Sequence, residues 1–333
     1  MTTDERQLFW KALCKADGVN VLEDIENINR TIQYPRFLYR YRPVTVSSID
    51  ALQTNSLFFS HANYYDDPFD TLINIDYDSL HKNVIQILTS EDLHVQLDEL
   101  CRTLGIPEEG KQWAENTISS RTTEEWSDYV DAFFRDKVQS LLKEMMWSVC
   151  FSESGTNETM WLKYADQYKG FCLVYDMNDD TKLLCGKQDK CGDCIMTSVG
   201  TSLFPVYYSD EGYDATEYAR FLSIVNLIHD NVPFPIANSI LNNIPNKLWE
   251  QERITLIKSK CHEHDEEWRM LFRSTAKGSV KQERIPYGII LGLKTSPQDR
   301  NTLIRSGKCA GIDHYFESYI NKHYKLDVRE LTV

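Results

Sequence analysis

Hydrophobic and polar positions alternate over Phe37–Arg42, where Phe37, Tyr39 and Tyr41 interleave with Leu38, Arg40 and Arg42. A period of two in strong β-formers predicts a short strand, and Pro43 ends it because proline brings no amide hydrogen to a ladder. Leu57-Phe58-Phe59-Ser60 predicts a second, buried strand leading through Tyr65 into the polar turn Asp66-Asp67-Pro68-Phe69-Asp70. Between the two, Ser47 or Ser48 can cap a short helix carrying Ile49, Ala51 and Leu52. Strand character persists at Leu72, Ile73 and Ile75, and returns at Trp147–Ser152, Phe171–Asp176, 202–208, Glu267–Phe272, 285–293 and 324–328.

A helical spacing separates these runs. Over residues 4–33 it places Leu8, Phe9, Ala12 and Leu13 on one stripe, and Val21, Ile25 and Ile28 on another. Trp126, Tyr129, Val130, Phe133, Phe134, Val138, Leu141 and Leu142 mark a long helical block after the start signal Thr122-Thr123-Glu124-Glu125. Tyr218, Phe221, Ile224, Val225 and Ile228 mark another, broken by Val232-Pro233-Phe234-Pro235. The reading is an N-terminal helical segment, residues 1–36, followed by one α+β domain over 37–333. Its sheet is mixed but mainly antiparallel, with helical insertions at about 78–146 and about 211–258. No repeat or long Gly/Ser linker divides the chain.

Composition narrows the function classes. A net charge of −14 repels nucleic acid and anionic membrane on average, so a polyanion partner needs a local basic patch. No apolar run approaches the roughly 20 residues of a membrane span, no signal-peptide pattern opens the chain, and nine cysteines suit reduced thiols in the cytoplasm. Walker, GxGxxG, HExxH and GxSxG patterns are absent. Cys191 and Cys194 form a CxxC to which Cys185 adds a third thiolate, with Cys261, His262 or His264 as a distant fourth. This is an incomplete zinc pattern beside the alternatives of a dithiol and an ordinary loop.

Two stretches have chemistry that a core does not need. Arg40 and Arg42 share one strand face, and Glu267 and Arg269 share another, opposite Trp268 and Met270. The second pair suits either a solvated edge-strand ion pair or a ligand flanked by carboxylate and guanidinium. Trp161 and Tyr164, three apart on a helix, suit a core contact or a ligand platform.

Four stretches in this order resemble a prokaryotic family, the domain of unknown function 2971. They are Leu38-Tyr39-Arg40-Tyr41-Arg42; Leu57-Phe58-Phe59-Ser60 with Tyr65-Asp66-Asp67-Pro68-Phe69-Asp70; Cys150-Phe151-Ser152-Glu153 with Met160-Trp161-Leu162-Lys163-Tyr164-Ala165 and Gly170-Phe171; and Glu267-Trp268-Arg269. Asp66 stands where that family usually has Asn. The layout is also similar to that of ADP-ribosyltransferases, which implies an ADP-ribosyltransferase-like sheet and an enzyme that uses NAD as substrate. By that resemblance Glu267 is the catalytic carboxylate, with Asp265 and Glu266 as rivals. Arg40 takes the pyrophosphate, with Arg42 as alternate, and Tyr41, Ser60, Tyr65, Asp67, Trp161 and Tyr164 line the pocket. A toxin or phage-defence effector modifying nucleic acid or protein, partnered by an antitoxin or defence protein, is the role it implies. Two other classes stay open. One is a Mg-dependent nuclease built on Asp66, Asp67, Asp70 and Glu267. The other is a non-catalytic sensor or partner-binding module.

Overall fold

The computed structural model describes residues 1–65, 67, 70–89, 119–178, 203–231, 248–272, 278–282 and 284–332, with isolated positions between 90 and 118. In chain order its strands are β1 (Phe37–Arg42), β2 (Ser56–His61), β3 (Ile73–Asn74), β4 (Trp147–Ser152), β5 (Phe171–Asp176), β6 (Leu203–Pro205) and β7 (Tyr207–Ser209). They continue as β8 (Tyr213–Asp214), β9 (Ile257–Ser259), β10 (Glu267–Phe272), β11 (Gly278–Lys281), β12 (Gly288–Leu291), β13 (His314–Ile320) and β14 (Leu326–Glu330). The class is α+β, as the alternation of patterns predicts.

Two compact units emerge: Met1–Asp70 with Met146–Asp210 and Leu256–Val333, and Thr71–Met145 with Glu211–Thr255. The first unit holds the main sheet, in the order β11-β2-β4-β1-β5-β12-β13-β14, with β10 against β4 and β6 against β10. Every pairing in it is antiparallel except β12 with β13. β7 and β9 form a separate parallel pair. The strand expected over 202–208 is thus split. Pro205 cannot donate to a ladder, and the chain turns at Val206, whose amide donates to the Glu267 carbonyl at 3.0 Å. β8, β9, β11 and β13 were not anticipated; β13 has only Tyr315 and Ser318 buried among seven residues, too weak an alternation to read.

The main sheet forks at β4. β1 meets β4 at the pair Tyr39–Ser152, while β2 meets it at Ser60–Ser148 and His61–Trp147. The two strands therefore diverge on either side of Cys150, where β1 turns instead to β5 along its whole length. Arg40 and Arg42 sit on the diverging half of β1. The N-terminal helix Thr3–Lys15 starts with a capping box between Thr2 and Glu5, and buries Phe9 and Leu13. Leu8, read as part of that stripe, is exposed, and Arg6 is buried in its place. Its guanidinium donates to the Val206 and Glu267 carbonyls at 2.7 and 2.9 Å.

The second unit gathers most of both stretches read as helical insertions, but the end of the second is corrected: Ile257 and Lys258 belong to β9 in the first unit. Helices Tyr77–Leu88, Thr123–Phe133 and Thr216–Asn231 close over Leu80, Val84, Trp126, Val130 and Tyr218, beside the parallel pair of β3 and β8. Thr122 and Glu125 cap the second helix reciprocally, the arrangement that the Thr-Thr-Glu-Glu run predicts. Among the described residues no helix is long and apolar enough to cross a membrane.

Candidate functional site

Arg269 has no accessible surface, and Glu267 beside it is 4% exposed. The expectation of a solvated edge-strand pair is therefore corrected. β10 lies between β4 and β6, so both of its edges are paired, and Trp268 and Met270 are buried on the face opposite the charges. Charge buried at this depth must be matched locally. Arg269 Nε donates to Glu267 Oε1 and Nη2 to Asp70 Oδ2, both at 2.7 Å. Lys258, on β9, donates to Glu267 Oε2 at 2.8 Å and to Asp265 Oδ2 at 2.9 Å. Its ammonium is 3.7 Å from Asp70. Three buried carboxylates thus share two buried cations.

The backbone holds this cluster as firmly as the side chains do. The Glu267 amide donates to the Tyr208 hydroxyl at 2.7 Å, and Ser152 Oγ donates to the Asp265 carbonyl at 2.9 Å. Burial alone would raise the Glu267 carboxyl, but Arg269 and Lys258 outweigh it and hold the group well below the usual carboxylate range. Around the cluster stand Tyr65, whose ring lies 5.2 Å from the Arg269 guanidinium and whose hydroxyl bonds the Ser148 hydroxyl, and Cys150. Burial, then Glu267, raises the Cys150 thiol and keeps it protonated. Tyr164, 40% exposed, lies at the edge of the cluster, and partial burial raises its hydroxyl too. At the rim His262 Nε2 meets Asp67 Oδ2 at 2.9 Å and His264 Nε2 meets Asp265 Oδ1 at 3.2 Å.

Arg40 and Arg42 are the counterpart on the other arm of the fork. Among the described residues neither guanidinium has an ion pair or a side-chain hydrogen bond. Burial, with Arg42 adding to it, pushes Arg40 down to about 10, and burial lowers Arg42 as well. Both line a narrow gap of about 20 Å³ with Ser48, Asn55, Ser56 and Gln282. Two guanidiniums with no acid between them repel one another and invite an anion.

The structure brings Glu267, Tyr65, Asp67 and Tyr164 of the anticipated site residues together, and Arg40 with Arg42. Ser60 lies at the fork, opposite Ser148. Tyr41 and Trp161 are instead core: their rings meet edge-on at 5.2 Å, Tyr41 donates to the Ser154 carbonyl, and the Trp161 indole donates to the Gly155 carbonyl. Asp66 and the zinc candidates Cys185, Cys191 and Cys194 lie outside the described residues. Asp70 and Glu267, needed by the nuclease reading, are bridged by Arg269 and Lys258. Sequence reasoning assigned no role to Lys258, Cys150 or Gln282. Lys258 had a signal, a lysine directly after the apolar run Leu256-Ile257 and ahead of the acids Glu263, Asp265, Glu266 and Glu267, but its pairing across nine residues needed the turn between.

Residues 160–270 match the family described as Protein of unknown function (DUF2971). That is about a third of the chain, and it takes in the Met160–Ala165 and Glu267–Arg269 stretches while leaving those around Arg40, Ser60 and Cys150 outside. No curated protein and no solved structure matches the chain.

Proposed function

We propose that the protein is an ADP-ribosyltransferase-like enzyme that takes NAD as substrate, with Arg40 and Arg42 as partners of its phosphates. The arginine pair carries this reading. Two half-buried cations with no acid partner among the described residues cost stability, and a phosphate-bearing ligand offsets that cost. The gap is too small for a nucleotide, so it admits phosphate oxygens while the rest of the ligand lies outside it. Glu267 supplies a carboxylate that stays ionised at any ordinary pH, the state required to stabilise oxocarbenium charge as the nicotinamide–ribose bond breaks. The acceptor nucleophile then forms the new bond to the ribose carbon, nicotinamide leaves, and the acceptor's proton passes to solvent. As an effector in a toxin–antitoxin or phage-defence system, the enzyme would modify nucleic acid or protein.

Thermal unfolding with and without NAD, beside a nicotinamide-release assay, tests this. Arg40→Gln should raise the melting point of the unliganded protein, by about 0.5–2 kcal/mol in stability, because it removes one of two repelling charges. The same variant should weaken NAD binding by about 1.5–3 kcal/mol, the worth of a hydrogen bond to a charged group. Label carried from the adenylate half of NAD then identifies the acceptor. Absence of any NAD-dependent shift in the wild type, with no nicotinamide released, removes the reading.

A further inference from the structure

A cleft of about 720 Å³ opens in the first unit, away from the arginine pair. Its walls are the half-buried rings of Phe37, Tyr39, Tyr287 and Phe316, and its polar side is formed by Glu153, Ser154, Thr156 and Glu266, with Arg36 at the rim. Tyr287 is tilted against Phe37 at 5.3 Å, lies 27° from parallel to Phe316 at 6.5 Å and stacks one face on the His314 ring at 4.2 Å, which leaves its other face for the space.

The two carboxylates differ. Glu153 is already engaged, by Arg6 at 2.6 Å and by the Trp268 indole at 2.6 Å. Glu266 has no ion pair among the described residues, and burial, followed by Glu153, raises its carboxyl. Its backbone is left-handed, with φ 47°, a conformation that costs a side-chain-bearing residue energy and recurs at ligand sites. The turn is held there by the Glu266 amide on the Glu263 carbonyl at 3.2 Å and by the Glu153 amide on the Glu266 carbonyl at 3.1 Å. The rim supplies a precedent for the ligand: the Arg36 guanidinium lies 4.8 Å over the Phe37 ring.

We propose that this cleft binds a guanidinium group, stacked on the aromatic wall and paired with Glu266. A flat cation matches both ring faces and a carboxylate's two oxygens, which a neutral base or a tetrahedral ammonium does not. The site is independent of the NAD reading and is tested without NAD. The probe is N-acetyl-arginine amide, measured by calorimetry against the neutral N-acetyl-citrulline amide, with an arginine-containing peptide and free arginine as separate arms. Preference for the peptide identifies a protein side chain as source, and preference for free arginine a small molecule; either supports the site.

The arginine probe should bind at least about tenfold more tightly than citrulline. Glu266→Gln should lose about tenfold while leaving the melting point unchanged, because that side chain has no ion pair to lose among the described residues. Tyr287→Phe should bind as the wild type does, and Tyr287→Ala should not. Equal binding of the two probes, binding insensitive to Glu266→Gln, or no binding at all overturns the proposal.

Discussion

Arg269 carries a full charge with no contact to water, and the residues that make this tolerable are now identifiable: Glu267 and Asp70 accept from it, and Tyr65 covers its face. Replacing Arg269 by Met would leave three buried carboxylates to Lys258 alone and cost about 3–5 kcal/mol, measured by denaturant unfolding. The signs of the pKa shifts define a pH window. Glu267 is held below its unfolded value of about 4.3, so its contribution is full above that value and is lost as pH falls through the folded one. Lys258 is the opposite case. Burial lowers its ammonium, but Glu267 and Asp70 outweigh burial and hold it above the unfolded value of about 10.4. Its contribution is full below that value and is lost as pH rises through the folded one. Stability from the cluster should be level between about pH 5 and 10 and fall on the acid side. Denaturant midpoints across the acid range check this, and Glu267→Gln should show a shallower acid loss than the wild type.

At the scale of elements, the fork between β1 and β2 determines what the arginines can do. β1 keeps its register with β5, Arg40 opposite Leu173 and Arg42 opposite Phe171, while its other edge leaves β4 after Tyr39. Gly170 maintains this arrangement at the start of β5. A Cβ there would lie 2.2 Å from the Arg42 carbonyl and 2.9 Å from the Ala165 backbone, neither of which is a flexible tip. Gly170→Ala should cost about 1–3 kcal/mol by overpacking, read as a lower melting point, and should weaken NAD binding by displacing Arg42. A variant that folds less well yet binds NAD with wild-type affinity would separate β1 from the site.

At the scale of the whole molecule, two cores form from interleaved segments. The second unit depends on Trp126, which is 2% exposed in a cluster with Val130 and Tyr218. Trp126→Ala should cost about 3–5 kcal/mol through the cavity it leaves, and calorimetry would show whether one transition moves or two. A net charge of −14 surrounds both units, so any anionic ligand must be drawn by local cations such as Arg40 and Arg42.

The sequence alone determined the α+β class, the strands Phe37–Arg42, Trp147–Ser152, Phe171–Asp176 and Glu267–Phe272, and the capped helix after Thr122, because alternation and caps are local signals. It also singled out Arg40, Arg42, Glu267 and Arg269 as charges on strand faces. Only the tertiary structure decided their surroundings. Asp70 reaches Arg269 across 199 residues, whereas no acid reaches Arg40 or Arg42 among the described residues. Whether a strand charge is paired, solvated or left waiting depends on which distant segments cover it, and no periodicity along the chain encodes that. The same holds for Trp161, which pattern alone left between core and ligand platform, and for Tyr41, which the resemblance placed in the pocket. Their edge-on contact formed because the helix Glu158–Tyr164 packs over β1.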